Sequence, residues 1–159
     1  MKKRKIDPGY LRQLLSPSIK EQVISVQEFT STARIFADEY LQGMLRVAVN
    51  GGCDGTVRLN LSAVSYLVRL LCELAEDDEV IDLIFDLGDN MTMSASFRDM
   101  SNHEDVAHII KVARLANFDV TRDGNTLIFS ADVTVSPIMK IYAVSSDDFM
   151  QILILTHKM

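Results

Sequence analysis

At 159 residues, with 48% hydrophobic and 24% charged, the chain has the length of one domain and the composition of a packed one, not a disordered segment. No apolar run approaches the ~20 residues of a membrane-spanning helix, so a membrane partner is not expected. The net charge of −6 divides into +5 over residues 1–20 and −11 over the rest, and an acidic body lacks the basic face that nucleic acid requires.

The start, Met1-Lys2-Lys3-Arg4-Lys5, is basic like a secretion signal, but Ile6-Asp7-Pro8-Gly9-Tyr10 follows with no apolar stretch. Cys53 and Cys72 are too few for a disulfide framework and have no metal-ligand partners nearby in sequence. Both features point to a cytoplasmic protein with reduced thiols.

In chain order, Pro8 to Leu15 reads as a short helical turn. Ser16 and Pro17 then supply an N-cap and first helical position for a helix running to about Gln42, with Gly43 ending it. Ile19, Val26, Ala33 and Tyr40 recur every seven residues, and Val23, Thr30 and Ala37 form a second row. Together they make a heptad seam. The seam must be buried against its own domain, against the turn at Leu11 to Leu15, or as a homodimer helix pairing. The pairing is the expected arrangement: the small Thr30, Ala33 and Ala37 allow close approach but bury little area per contact. Residues 1–43 therefore read as a basic tail plus helical extension, and 44–159 as the domain proper.

Met44 to Val49 and Thr56 to Leu59 are strand candidates joined by the turn residues Asn50-Gly51-Gly52-Cys53-Asp54-Gly55. A helix from Ser62 carries Val64, Leu67, Val68, Leu71 and Leu74 inward and runs into Glu76-Asp77-Asp78-Glu79. Val80 to Leu87 and Met91 to Arg98 read as strands wet on one face. Ile81, Leu83, Phe85 and Leu87 alternate with Asp82 and Asp86, broken only at Ile84, and Met91, Met93, Ala95 and Phe97 alternate with Thr92, Ser94 and Ser96. Ser101-Asn102-His103-Glu104 fits a capping box for the next helix. Phe118 to Thr121 and Thr126 to Val133 flank Asp123-Gly124 as a hairpin. Pro137 interrupts, Ile138 to Val144 reads as a further strand, and Ser145 caps a final helix over about 146–158.

From Met44 onward the order is strand, strand, helix, strand, strand, helix, strand, strand. With Val57-Arg58-Leu59-Asn60 leading into Leu67-Val68-Arg69-Leu70-Leu71-Cys72-Glu73-Leu74, and Val112 to Val120 followed by Asp123 to Phe129, the chain resembles the ATP-binding domain of sensor histidine kinases and their gyrase and MutL-type relatives. The resemblance implies an α/β two-layer sandwich, a mixed sheet with helices on one face, preceded here by the long helix. It also implies where a nucleotide site would lie. Asp77 falls at the Mg²⁺-holding asparagine, with Glu73 one turn upstream. Asp99 falls at the adenine-reading aspartate, but Ser101 and His103 replace the two glycines that let backbone approach a nucleotide.

No loop long enough for a phosphate-covering lid precedes the next helix. His103, His108 and His157 all lie outside residues 8–42, so no histidine is placed for phosphotransfer on the seamed helix. Glu73, Asp77 and Asp99 then read as vestigial positions, and Glu76 to Glu79 as a solvated helix end. The expectation is a non-catalytic kinase-like module without cofactor or metal, homodimeric, regulatory and acting on a protein partner. The alternative is a divergent nucleotide-binding enzyme that uses Asp99 and Asp77.

Overall fold

The helix expected from Ser16 to Gln42 is, in the computed structural model, which describes residues 21–158, a strand followed by a shorter helix. Strand β1 (Gln22–Ser25) buries the adjacent Val23 and Ile24, a β-branched pair suited to a strand. Helix α1 (Val26–Tyr40) starts where the Ser25 hydroxyl accepts a 3.2 Å hydrogen bond from the Glu28 amide. The heptad count had run through this cap, because the spacing of Val23 and Val26 suits a strand end followed by a helix start equally well. The turn at Pro8 to Leu15, the Ser16-Pro17 cap and Ile19 lie outside the described residues.

β1 pairs antiparallel with β3 (Thr56–Leu59) and parallel with β8 (Ala143–Val144), giving a three-stranded sheet in the order β3-β1-β8. Among the described residues, a strand from before residue 43 thus shares a sheet with strands from after it. That strand is the middle one of the sheet, and its partners come from both ends of the domain.

A five-stranded mixed sheet holds β2 (Leu45–Gly51), β4 (Ile81–Leu87), β5 (Asn90–Ser96), β6 (Asp119–Asp123) and β7 (Thr126–Asp132), in the order β2-β4-β5-β7-β6. Only β2 and β4 run parallel. The turn residues 50–55 thus carry the chain from one sheet to the other and close no hairpin. Gly51 makes this exit possible: its φ is +80°, and a Cβ there would lie 2.6 Å from the Leu87 carbonyl oxygen.

The helices are α2 (Leu61–Leu74), α3 (His103–Leu115), the short α4 (Pro137–Ile141) and α5 (Ser146–His157). Pro137 opens α4 at a first-turn position, where its missing N–H costs nothing, so the strand expected from Ile138 shrinks to the two residues of β8. One face of the large sheet, including Leu83, Phe85, Met93, Ala95 and Phe129, is buried under helices. The other is polar: Arg46 holds Asp82 at 2.9 and 3.2 Å, Asn50 meets Asp86 at 3.1 Å, and Ser96 meets Thr126 at 2.8 Å. The mixed sheet with helices stacked on one face is the expected architecture.

The seam sits inside this core. Val26, Thr30 and Ala37 are buried, Ala33 packs against the core, and α1 lies on β2 and α5. Phe29 stacks on Phe149 of α5, with centroids 5.1 Å apart, and meets Phe85 of β4 edge-on at 5.8 Å. Val23 belongs to β1. Tyr40 alone among the described seam residues is well exposed, and its ring stacks on Phe36. Among the described residues, the apolar stripe is covered by the chain itself, Tyr40 apart.

Candidate functional site

The three acidic positions singled out from the sequence lie apart: Glu73 near the end of α2, Asp77 in the loop after it and Asp99 in the link after β5. Asn60 caps α2, its side chain accepting from the Ala63 amide at 3.1 Å. Further along, Ser65, Arg69 and Glu73 are four apart and so share one flank. Ser65 donates to the Ile152 carbonyl at 3.4 Å and Arg69 to that of Thr156 at 3.5 Å, so this flank faces α5. Glu73 accepts from Arg69 Nε at 3.4 Å, with the two side chains 14% and 16% exposed. Glu73 is thus part of the α2–α5 packing. Asp77 is exposed in the loop beyond.

The acidic run is more than a solvated helix end. Glu79 is 6% exposed, and its carboxylate accepts from the Glu76 amide at 3.0 Å and the Arg98 amide at 2.8 Å. It clips the loop after α2 to the end of β5. The Arg98 guanidinium reaches Asp78 at 2.8 Å, an exposed pair.

Asp99 accepts from the Ser101 amide at 2.9 Å, a local turn made by its own side chain. The link from β5 to α3, Phe97 to Asn102, is then held from the opposite side by the β6–β7 hairpin. Asn125 accepts from the Phe97 amide at 2.9 Å and donates to the Arg98 carbonyl at 3.1 Å, while Arg122 donates to the Met100 carbonyl at 3.2 Å. Met100 is 1% exposed and Phe97 5%. Helix α3 starts at once behind an Asn102 cap, one residue later than the Ser101 cap expected.

Glu79, Arg122 and Asn125 therefore do most to shape the corner at Asp99, and sequence reading passed over all three. Glu79 is indistinguishable from its acidic neighbours in sequence, and the hairpin residues were read only as turn chemistry.

Elsewhere, one open cleft of about 620 Å³ is lined by Arg34, Gly51, Gly52, Cys53 and Asp54 among others, and a second of about 490 Å³ by Arg58, Arg114 and both polar and apolar neighbours. Glu73, Asp77 and Asp99 line neither. His103 is exposed and His108 half-buried, as expected, but His157 is half-buried against the Phe36 ring, where exposure was expected. Among the described residues no three His, Cys, Asp or Glu side chains are grouped to hold a metal ion, and no helix is long and apolar enough to cross a membrane.

This is the fold of the histidine kinase ATP-binding domain. The chain is similar to the cytoplasmic segment of histidine kinase QseC with a TM-score of 0.50 and 14% identity, over 84% of this chain and 97% of that one. That coverage exceeds the share of the chain lying beyond residue 43, so the match takes in part of the region first read as an extension. Weaker likenesses are to histidine kinase AdeS of Acinetobacter baumannii (TM-score 0.46, 9% identity, 79% of this chain and 75% of that one) and to the catalytic domain of histidine kinase ThkA (TM-score 0.44, 8% identity, 72% and 96%). No protein-family profile and no curated protein matches the sequence.

Proposed function

We propose that the chain is a non-catalytic kinase-like module of the cytoplasm that acts in regulation through contact with another protein. The observation that carries this reading is the packed corner at Asp99. A nucleotide read by that aspartate would need backbone close beside it and donors for its phosphates. Here the neighbouring side chains Phe97 and Met100 are buried, and the link that would become a lid is six residues long and hydrogen-bonded to Glu79, Arg122 and Asn125. The exposed charges at this corner are mixed, since Asp78 is already paired with the Arg98 guanidinium and Asp77 lies exposed beside it. These residues do not fit ATP with Mg²⁺, and no chemical step is derived through it.

A homodimer through the heptad seam is not part of this reading, since Val26, Thr30, Ala33 and Ala37 pack into the core of their own domain. Nothing in the corner favours the alternative enzyme using Asp99 and Asp77. Incubation of the protein with γ-labelled ATP and Mg²⁺ tests the non-catalytic part. The expected result is no phosphate released and no label on the protein above a heat-treated control. Turnover or labelling that disappears in Asp99→Asn would contradict it.

A further inference from the structure

Seven arginines lie among the described residues, and Arg34, which lines the larger cleft, has no side-chain hydrogen bond or ion pair there. Arg46, Arg69, Arg98 and Arg122 each engage a carboxylate or a backbone carbonyl. Arg58 and Arg114 make no side-chain hydrogen bond or ion pair among the described residues, yet both line the same cleft of about 490 Å³. They come from different elements, Arg58 from β3 and Arg114 from the last turn of α3.

Two hydrogen bonds fix those elements together at this point. Asn117, with φ at +82°, donates from its side chain to the Arg58 carbonyl at 2.8 Å, and the Asn60 amide donates to the Ala116 carbonyl at 3.1 Å. A non-glycine residue held at positive φ is uncommon, though asparagine tolerates it better than most. The scaffold beneath the two guanidiniums is therefore rigid while their heads stay unpaired among the described residues. Facing them in the cleft are Asp119 and Asp132, which also take no ion pair there, and the Ser130 and Thr134 hydroxyls. Asp132 pairs in register with Asn90 at the start of β5, so the cleft lies at the end of the sheet away from Asp99.

Charges of both signs sharing one cleft without neutralising each other suit a ligand that itself carries both. We infer that this cleft binds a small amphoteric molecule. Its phosphate or carboxylate group is held by Arg58 and Arg114, and its ammonium or hydroxyl donors meet Asp119 and Asp132. Guanidinium forks are matched to either oxyanion. The site is independent of the nucleotide position, and the inference stands or falls apart from the non-catalytic reading above.

Titration of the ¹⁵N-labelled protein with O-phosphoserine, followed by amide shifts, tests it. Saturable shifts are expected at Asn117, Ser130 and Thr134, with affinity reduced roughly tenfold or more in Arg58→Gln and in Arg114→Gln, as loss of one charge-assisted contact implies. Both side chains are exposed and the Asn117 bond uses the Arg58 backbone, so these variants should fold. Parallel titrations with inorganic phosphate and with serine show which anion the arginines read. Absence of saturable shifts up to ~10 mM ligand, a very weak binding limit, would overturn the inference. So would shifts that both variants leave unchanged.

Discussion

Replacing Glu79 with alanine is expected to destabilise the fold by about 3 kcal/mol, measured by denaturant unfolding. The carboxylate accepts two backbone N–H bonds while only 6% exposed. Hydrogen bonds to a charged group contribute ~1.5–3 kcal/mol each, and both donors lose their partner at once. Neighbouring Asp78 is a control: its pair with Arg98 is 80% and 52% exposed, so Asp78→Ala should cost no more than ~0.5 kcal/mol. Equal effects at the two positions would mean that the acidic run is only a solvated helix end and that nothing pins the β5–α3 link.

Phe29→Ala should cost about 4 kcal/mol, in the range for removing a buried phenyl ring. The ring is 1% exposed and packs at once on Phe149 and Phe85, joining α1 to α5 and to the sheet. If residues before 43 were instead a detachable dimerisation helix, the same change would alter self-association and leave the unfolding midpoint of the domain in place. Sedimentation and chemical unfolding of the one variant therefore separate the two arrangements. Should the variant fail to fold, Phe29→Leu, which keeps most of the apolar volume, gives a smaller loss in the same direction.

The sheet's inner face was legible because Ile81 to Leu87 and Met91 to Phe97 alternate with a period of two, which is the mark of a strand buried on one face and does not fit a helix. The order of elements carried the fold with it. Two things were not legible. The first is the start of the domain: Val23, Val26, Thr30, Ala33 and Ala37 satisfy a heptad, but burial in a folded core and burial in a helix pair leave the same trace in a sequence. Only the pairing of β1 with β3 and β8 decides between them.

The second is the corner at Asp99. Missing glycines at Ser101 and His103 were visible, as was the lack of a lid. The bonds that hold the corner were not, because Glu79, Arg122 and Asn125 are brought there by the fold from well outside the Phe97 to Asn102 link. Glu79 lies 19 residues before Arg98, and Asn125 27 residues after it. The same holds for Arg58 and Arg114, which share a cleft only once β3 and α3 are folded side by side.

The most direct test of the central claim is isothermal titration of the protein with a non-hydrolysable ATP analogue and Mg²⁺, repeated on Asp99→Asn and Arg58→Gln. The packed corner predicts no saturable heat at ~1 mM ligand that depends on Asp99. A heat lost only in Arg58→Gln would belong to the other cleft. Micromolar binding that is lost in Asp99→Asn and kept in Arg58→Gln would contradict the account and return Asp99 to a working nucleotide site.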